Sequence, residues 1–131
     1  MKNALVILIL TLTMVSCGQN ETNMKTFDPA FAHTVYFWFK NPNSQEDRAK
    51  FEASLTKFMN NSAYAKTQFI GTPPKASRDV VDGSFTYSLI VSFESAEAQA
   101  KYQSEPPHLL FVEECSDLWE KVIVYDSQTI K

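Results

Sequence analysis

The chain has 131 residues, of which 44% are hydrophobic and 13% aromatic, and carries a formal charge of -3. That length and apolar content fit one domain with a substantial core. The acid excess, with no dense basic run, argues against nucleic acid as the main partner. The two cysteines, Cys17 and Cys115, exclude a disulfide framework, because the first has another use.

Lys2 gives the chain a basic start, and Ala4 to Leu12 follow as an uncharged, mostly apolar run. A membrane span needs about 20 apolar residues, so this run has instead the length of a signal-peptide core. Met14-Val15-Ser16-Cys17 then resembles a bacterial lipobox. The resemblance implies a signal peptide over residues 1–16, a diacylglycerol on the Cys17 thiol and acylation of the amino group freed by cleavage. Two or more acyl chains give stable anchoring where one gives only marginal binding. Residues 17–29 read as the lipidated cysteine and a polar tether, and residues 30–131 as the folded domain. The expected location is extracytoplasmic, on a bacterial membrane.

The stretch HTVYFWFK from His33 to Lys40 is rich in aromatic and β-branched residues and predicts a strand. Val35, Phe37 and Phe39 share one face, Tyr36 and Trp38 the other, so both faces are expected to be covered. Ser44-Gln45-Glu46-Asp47 predicts a capped helix start. Phe51, Leu55, Phe58 and Met59 carry that helix to about Asn60. A second strand is expected over Ala65 to Ile70, then a loop from Gly71 to Gly83 with a turn at Asp82-Gly83.

Phe85 to Phe93 alternates. Phe85, Tyr87, Leu89, Val91 and Phe93 are expected on one face, Thr86, Ser88, Ile90 and Ser92 on the other. Ser95 can cap a short helix to about Tyr102, which Pro106-Pro107 interrupts. A further helix is expected to carry Phe111, Cys115, Leu118 and Trp119 on one side, before a last strand over Val122 to Tyr125. The order β-α-β-β-α-β is α+β and ferredoxin-like. One helical layer covers one sheet face, and a second copy of the domain is the simplest cover for the other.

Both histidines stand at notable places: His33 opens the first strand, and His108 follows the two prolines. Tyr102 and His108 come from the helical layer, so they can meet His33 only on the face the helices cover. The three would line a pocket walled by aromatics such as Phe37 and Trp119. Histidine can act as acid or base at neutral pH, and tyrosine can donate to a carbonyl or enolate oxygen. A structural hydrogen bond for His33 and a helix-capping role for His108 are the plainer alternatives. Glu105, three residues before His108, would favour the imidazolium if it lies close. The chain shows no zinc-ligand spacing, no glycine-rich phosphate loop and no Gly-x-Ser-x-Gly elbow, and nothing specific makes His108 a haem ligand.

Four stretches carry a resemblance to a known family. HTVYFWFK at His33, YSLIVSFES at Tyr87, YQSEPPH from Tyr102 to His108, and LWEKVIVYD from Leu118 to Asp126 resemble the stress-responsive A/B barrel domain, called Dabb, over nearly the whole mature domain. The resemblance implies a dimeric α+β barrel. It also implies correspondence with a plant polyketide cyclase of the family. The cyclase's first-strand histidine falls on His33, its catalytic tyrosine on Tyr102 and its catalytic histidine on His108. That cyclase works without a metal, and a second histidine it carries is Glu105 here. Three readings follow. The first is an anchored, stress-associated homodimer binding a small apolar or aromatic molecule without a cofactor. The second is a cofactor-free cyclase, lyase or isomerase using Tyr102 and His108. The third is a purely structural role. Replacing Cys17 with Ser is expected to release the protein from the membrane fraction, and a Cys17→Ser chain still sedimenting with membranes contradicts the anchor.

Overall fold

The computed structural model describes residues 30–75 and 78–130. The signal-peptide, lipidation and tether assignments on residues 1–29 lie outside the described residues. Among the described residues seven elements follow in order: β1 (Phe31–Phe39), α1 (Gln45–Asn61), β2 (Thr67–Gly71), β3 (Tyr87–Phe93), α2 (Ala96–Ser104), α3 (Pro106–Cys115) and β4 (Trp119–Gln128). The strands form one antiparallel sheet in the order β2-β3-β1-β4, the α+β ferredoxin-like arrangement. Among the described residues no helix is long and apolar enough to cross a membrane.

The predicted caps form. The Ser44 hydroxyl accepts from the Asp47 amide at 3.2 Å, and the Ser95 hydroxyl from that of Ala98 at 3.1 Å. Each satisfies a donor that the first helical turn leaves unpaired. Register then sorts the strands. His33 pairs with Val91 of β3 and Asp126 of β4, and Val35 with Leu89 and Val124. Directly opposed residues share a face. One face therefore carries Phe31, His33, Val35, Phe37 and Phe39, all buried under the helices, while Tyr36 and Trp38 on the other are half-buried.

Rings fill the layer between sheet and helices. Phe51 of α1 lies 5.0 Å from Phe37, 5.0 Å from Phe39 and 4.8 Å from Tyr87, centroid to centroid. Phe111 of α3 stacks on Phe58 of α1 at 5.6 Å. Most of these pairs are tilted or edge-on, the arrangement that the ring quadrupole favours.

Two expectations are corrected. Phe85 does not share the face of Tyr87. β3 begins only at Tyr87, and Phe85 lies 4.9 Å from Tyr36 on the side the helices leave uncovered. Thr86 explains the break: it is buried, its amide donates to the Phe37 carbonyl, and its hydroxyl accepts from the Phe39 amide at 3.0 Å. Leu118 and Trp119 do not belong to the last helix. α3 stops at Cys115, a turn closes with the Leu118 amide donating to the Cys115 carbonyl, and Trp119 pairs with Phe39 as the start of β4. The β-favouring run from Trp119 to Tyr125 prevails over a spacing that also fits a helix. Leu118 still reaches the core.

Candidate active site

Tyr102 faces the sheet because it follows Ala98 by four positions on α2, and both are buried. His108, Phe111 and Cys115 recur at intervals of three and four on α3, with Phe111 and Cys115 buried against the core. His33 comes up from the central strand. The fold thus brings the three sequence-predicted residues together. The Tyr102 ring lies between the two imidazoles, 5.7 Å from His33 and 5.4 Å from His108. All three line one cleft of about 120 Å³, with Phe37 and Trp119 in its wall as the sequence suggests. Val122 and Val124 of β4 line it too and stay exposed, 47% for Val124, so the cleft opens toward that edge of the sheet. A groove of about 270 Å³ between α1 and α3 is larger, but none of the three residues lines it.

His33 is 3% exposed, and its Nδ1 lies 2.6 Å from Oδ1 of Asp126. An ionised carboxylate only accepts, so Nδ1–H donates, and in the neutral ring the lone pair rests on Nε2. His108 differs. Its Nδ1 is buried and has no hydrogen-bond partner among the described residues. Burial holds its pKa below the ordinary 6.5, outweighing the Gln103 carbonyl and Glu105, which raise it, while His33 lowers it further. Glu105 thus acts in the expected direction, toward the imidazolium, but burial outweighs it and the net effect favours the neutral ring, the form that serves as a base rather than an acid. Tyr102, 1% exposed, has its pKa pushed up by burial and then by Glu105, so it remains a phenol able to donate.

Glu105 itself turns away from the cleft, toward Ser62 and Ala63. Cys115 is a free, buried thiol that does not line the cleft. Asp126 was visible in the sequence only as the last residue of a motif. Its role follows from β4 alternation, where Val122, Val124 and Asp126 share the face of His33 once the register is set. Phe58 was expected only as core, yet it packs on both Tyr102 and His108, at 5.1 and 5.3 Å. Among the described residues no group of three or more His, Cys, Asp or Glu side chains could hold a metal ion.

The Stress Responsive A/B Barrel Domain matches residues 31–129. Among solved structures, a hydroxynitrile lyase from Passiflora edulis is 25% identical, with a TM-score of 0.66, covering 79% of this chain and 96% of its own. A Dabb family protein with a ferredoxin-like fold from Mesorhizobium loti is 18% identical, with a TM-score of 0.64 and coverage of 77% and 97%. A dimeric ferredoxin-like protein from Thermobifida fusca is 12% identical, with a TM-score of 0.63 and coverage of 79% and 95%. No protein of curated function matches.

The direction of the His108 shift carries a sign for stability. A histidine whose folded pKa lies below 6.5 binds its proton more readily when unfolded. Its contribution is therefore complete above 6.5 and is lost as pH falls from there through the folded pKa. Urea midpoints measured between neutral and mildly acidic pH are expected to fall less steeply for His108→Gln than for the wild type. Parallel curves would mean that His108 carries no such linkage.

Proposed function

The chain belongs to the Stress Responsive A/B Barrel Domain family, and from that premise and the composition of its cleft we propose that it binds a small, largely apolar or aromatic molecule between Tyr102 and His108. One observation carries the reading: a buried His108 nitrogen without a partner among the described residues, in a cleft otherwise walled mostly by Val, Leu, Phe and Trp. Unpaired buried polar atoms are costly and rare. A ligand hydroxyl would satisfy this one in one tautomer and a ligand carbonyl in the other once the imidazole turns Nδ1 to the cleft, and Tyr102 supplies a second donor. An apolar cavity of about 150 Å³ accepts benzene. A cleft of about 120 Å³ therefore seats no more than one small ring, with any remainder extending past Val122 and Val124.

A second reading is catalytic, and two findings favour it: burial lowers the His108 pKa and so favours the neutral imidazole a base needs, and the Passiflora hydroxynitrile lyase is similar over most of the chain. On a hydroxynitrile, His108 would take the hydroxyl proton while Tyr102 donates to the same oxygen. The C–O bond becomes a carbonyl, the carbon–carbon bond to the nitrile breaks, and cyanide leaves with the bonding electrons. The imidazolium returns the proton to cyanide, so the step balances without a cofactor. His33, tied to Asp126, would hold Tyr102 in place.

The assembly that best accommodates the uncovered face is a homodimer. Tyr36, Trp38, Phe85 and Tyr125 form a contiguous aromatic group there. Phe69 and Tyr125 are more than half exposed in the single chain, and patches of this kind mark interfaces. The similar Thermobifida protein is dimeric. The lipobox at Cys17 supports a membrane-anchored form of that dimer.

Three experiments test these readings. Benzaldehyde, an aromatic carbonyl, is expected to bind saturably by calorimetry, one molecule per chain, and His108→Ala is expected to abolish this. If mandelonitrile is cleaved, His108→Ala or Tyr102→Phe is expected to cut the rate by about 10²–10⁴-fold with circular dichroism unchanged. Benzaldehyde heat that survives His108→Ala would remove the cleft as the site. In sedimentation velocity the chain is expected at dimer mass, with Trp38→Asp shifting it to monomer. A wild-type monomer at micromolar concentration contradicts the assembly.

A further inference from the structure

Glu105 is 6% exposed, yet among the described residues no Lys, Arg or His side chain pairs with its carboxylate. Burying a charge without a counter-ion is unfavourable unless other groups hold it, and here two do. The Ser62 hydroxyl donates to Oε1 at 2.6 Å, and the Ala63 amide donates to Oε2 at 3.0 Å. Both donors sit at the turn where α1 ends, and the same Ser62 oxygen accepts from the amides of Tyr64 and Ala65. A carboxylate thus ties the elbow between α2 and α3 to the turn between α1 and β2.

The prolines free it for that task. A residue before a helix ordinarily spends its side chain on the unpaired N–H groups of the first turn. Pro106 and Pro107 occupy the first two positions of α3 and have no N–H to serve. The next two amides, of His108 and Leu109, already bond to the Glu105 carbonyl at 3.1 and 3.2 Å. Glu105 therefore makes no side-chain cap on α3, and its carboxylate reaches sideways to α1.

The link closes a ring of contacts around the cleft. Tyr102 and His108 stand three residues either side of Glu105. Phe58, which packs on both of their rings, gives its carbonyl to the Ser62 amide at 2.9 Å. We propose that Glu105 is a positioning residue: its carboxylate clamps the α2–α3 elbow onto the α1 turn and so fixes Tyr102 and His108 against Phe58 and each other. The inference rests on the reading of this cleft as the ligand site. The groups acting on His108 are Tyr102 and the Gln103 carbonyl from α2, the uncharged Phe58 from α1, His33 from β1 and, through its charge alone, Glu105, so the clamp also sets the negative charge that raises the proton affinity of that imidazole.

Three variants of the full chain test it. Glu105→Gln keeps the size of the side chain but removes the charge and one of the two acceptor oxygens. Glu105→Ala removes the clamp. Ser62→Ala cuts it from the α1 side, outside the cleft. The His108 imidazole titration by NMR, which needs no ligand, is expected to move to lower pH in Glu105→Gln. Amide exchange at His108 and Leu109 is expected to quicken by about tenfold or more in Ser62→Ala and Glu105→Ala, each of which loses at least one hydrogen bond of the clamp, and by less in Glu105→Gln, which keeps one acceptor oxygen. Should Glu105→Ala fail to fold, Ser62→Ala and Glu105→Gln decide alone. An unmoved His108 titration in Glu105→Gln, or unchanged exchange in Ser62→Ala, overturns the clamp. Absence of benzaldehyde binding in the wild type would instead overturn the ligand reading, because titration and exchange report the clamp without it.

Discussion

The register of β1 is the constraint on which the rest of the molecule turns, and its apolar pattern specifies it weakly. A strand with polar residues on one face is held in place by burial, since a slip of one residue exchanges its faces. β1 has aromatics on both, Phe37 inward and Trp38 outward, so a slipped strand would still bury rings. The polar contacts break that near-degeneracy. His33 meets Asp126 only when both point to the helix side, and the Phe39 amide meets the Thr86 hydroxyl only in this pairing. A slip would carry a buried imidazole to the outer face and strand both partners. The polar pairs that stock the cleft also select the fold that builds it.

Burial is the dominant electrostatic influence around that cleft. Glu105 raises the proton affinity of both Tyr102 and His108, but desolvation is the larger effect on each and acts in opposite directions. It leaves the phenol protonated and the imidazole neutral, one donor beside one acceptor. A charged pair at the same positions would need counter-charges that the aromatic wall does not supply. The arrangement is stable because neither group has to be an ion.

Much of this could be read from the residues. The alternation of β1 and β3, the serine caps and the prolines after α2 gave the element order and the face on which His33, Tyr102 and His108 meet. Local rules failed where two patterns competed for one segment. Cys115, Leu118 and Trp119 fit a helical stripe, but Trp119 also opens a β-branched run, and pairing with Phe39 decided for the strand. Phe85 continued an alternation that Thr86 broke by spending its hydroxyl and amide on β1. The fate of Glu105 was not legible at all, because its partners lie more than 40 residues away and the choice between cleft and α1 is tertiary. Asp126 became meaningful only through register.

The alternation of β4 has a thermodynamic consequence. Its odd-numbered residues Ile123 and Tyr125 point to the outer face, and its even-numbered residues Val122 and Val124 form the lip of the cleft. Among the described residues β4 is an edge strand, paired to β1 alone. Burial of its outer side in the proposed dimer would restrict the same backbone whose inner side the proposed ligand would touch. Association and ligand capture then become linked equilibria: whatever affinity one lends the other must be returned in equal measure. Occupancy of the cleft would then depend on how densely the protein is gathered.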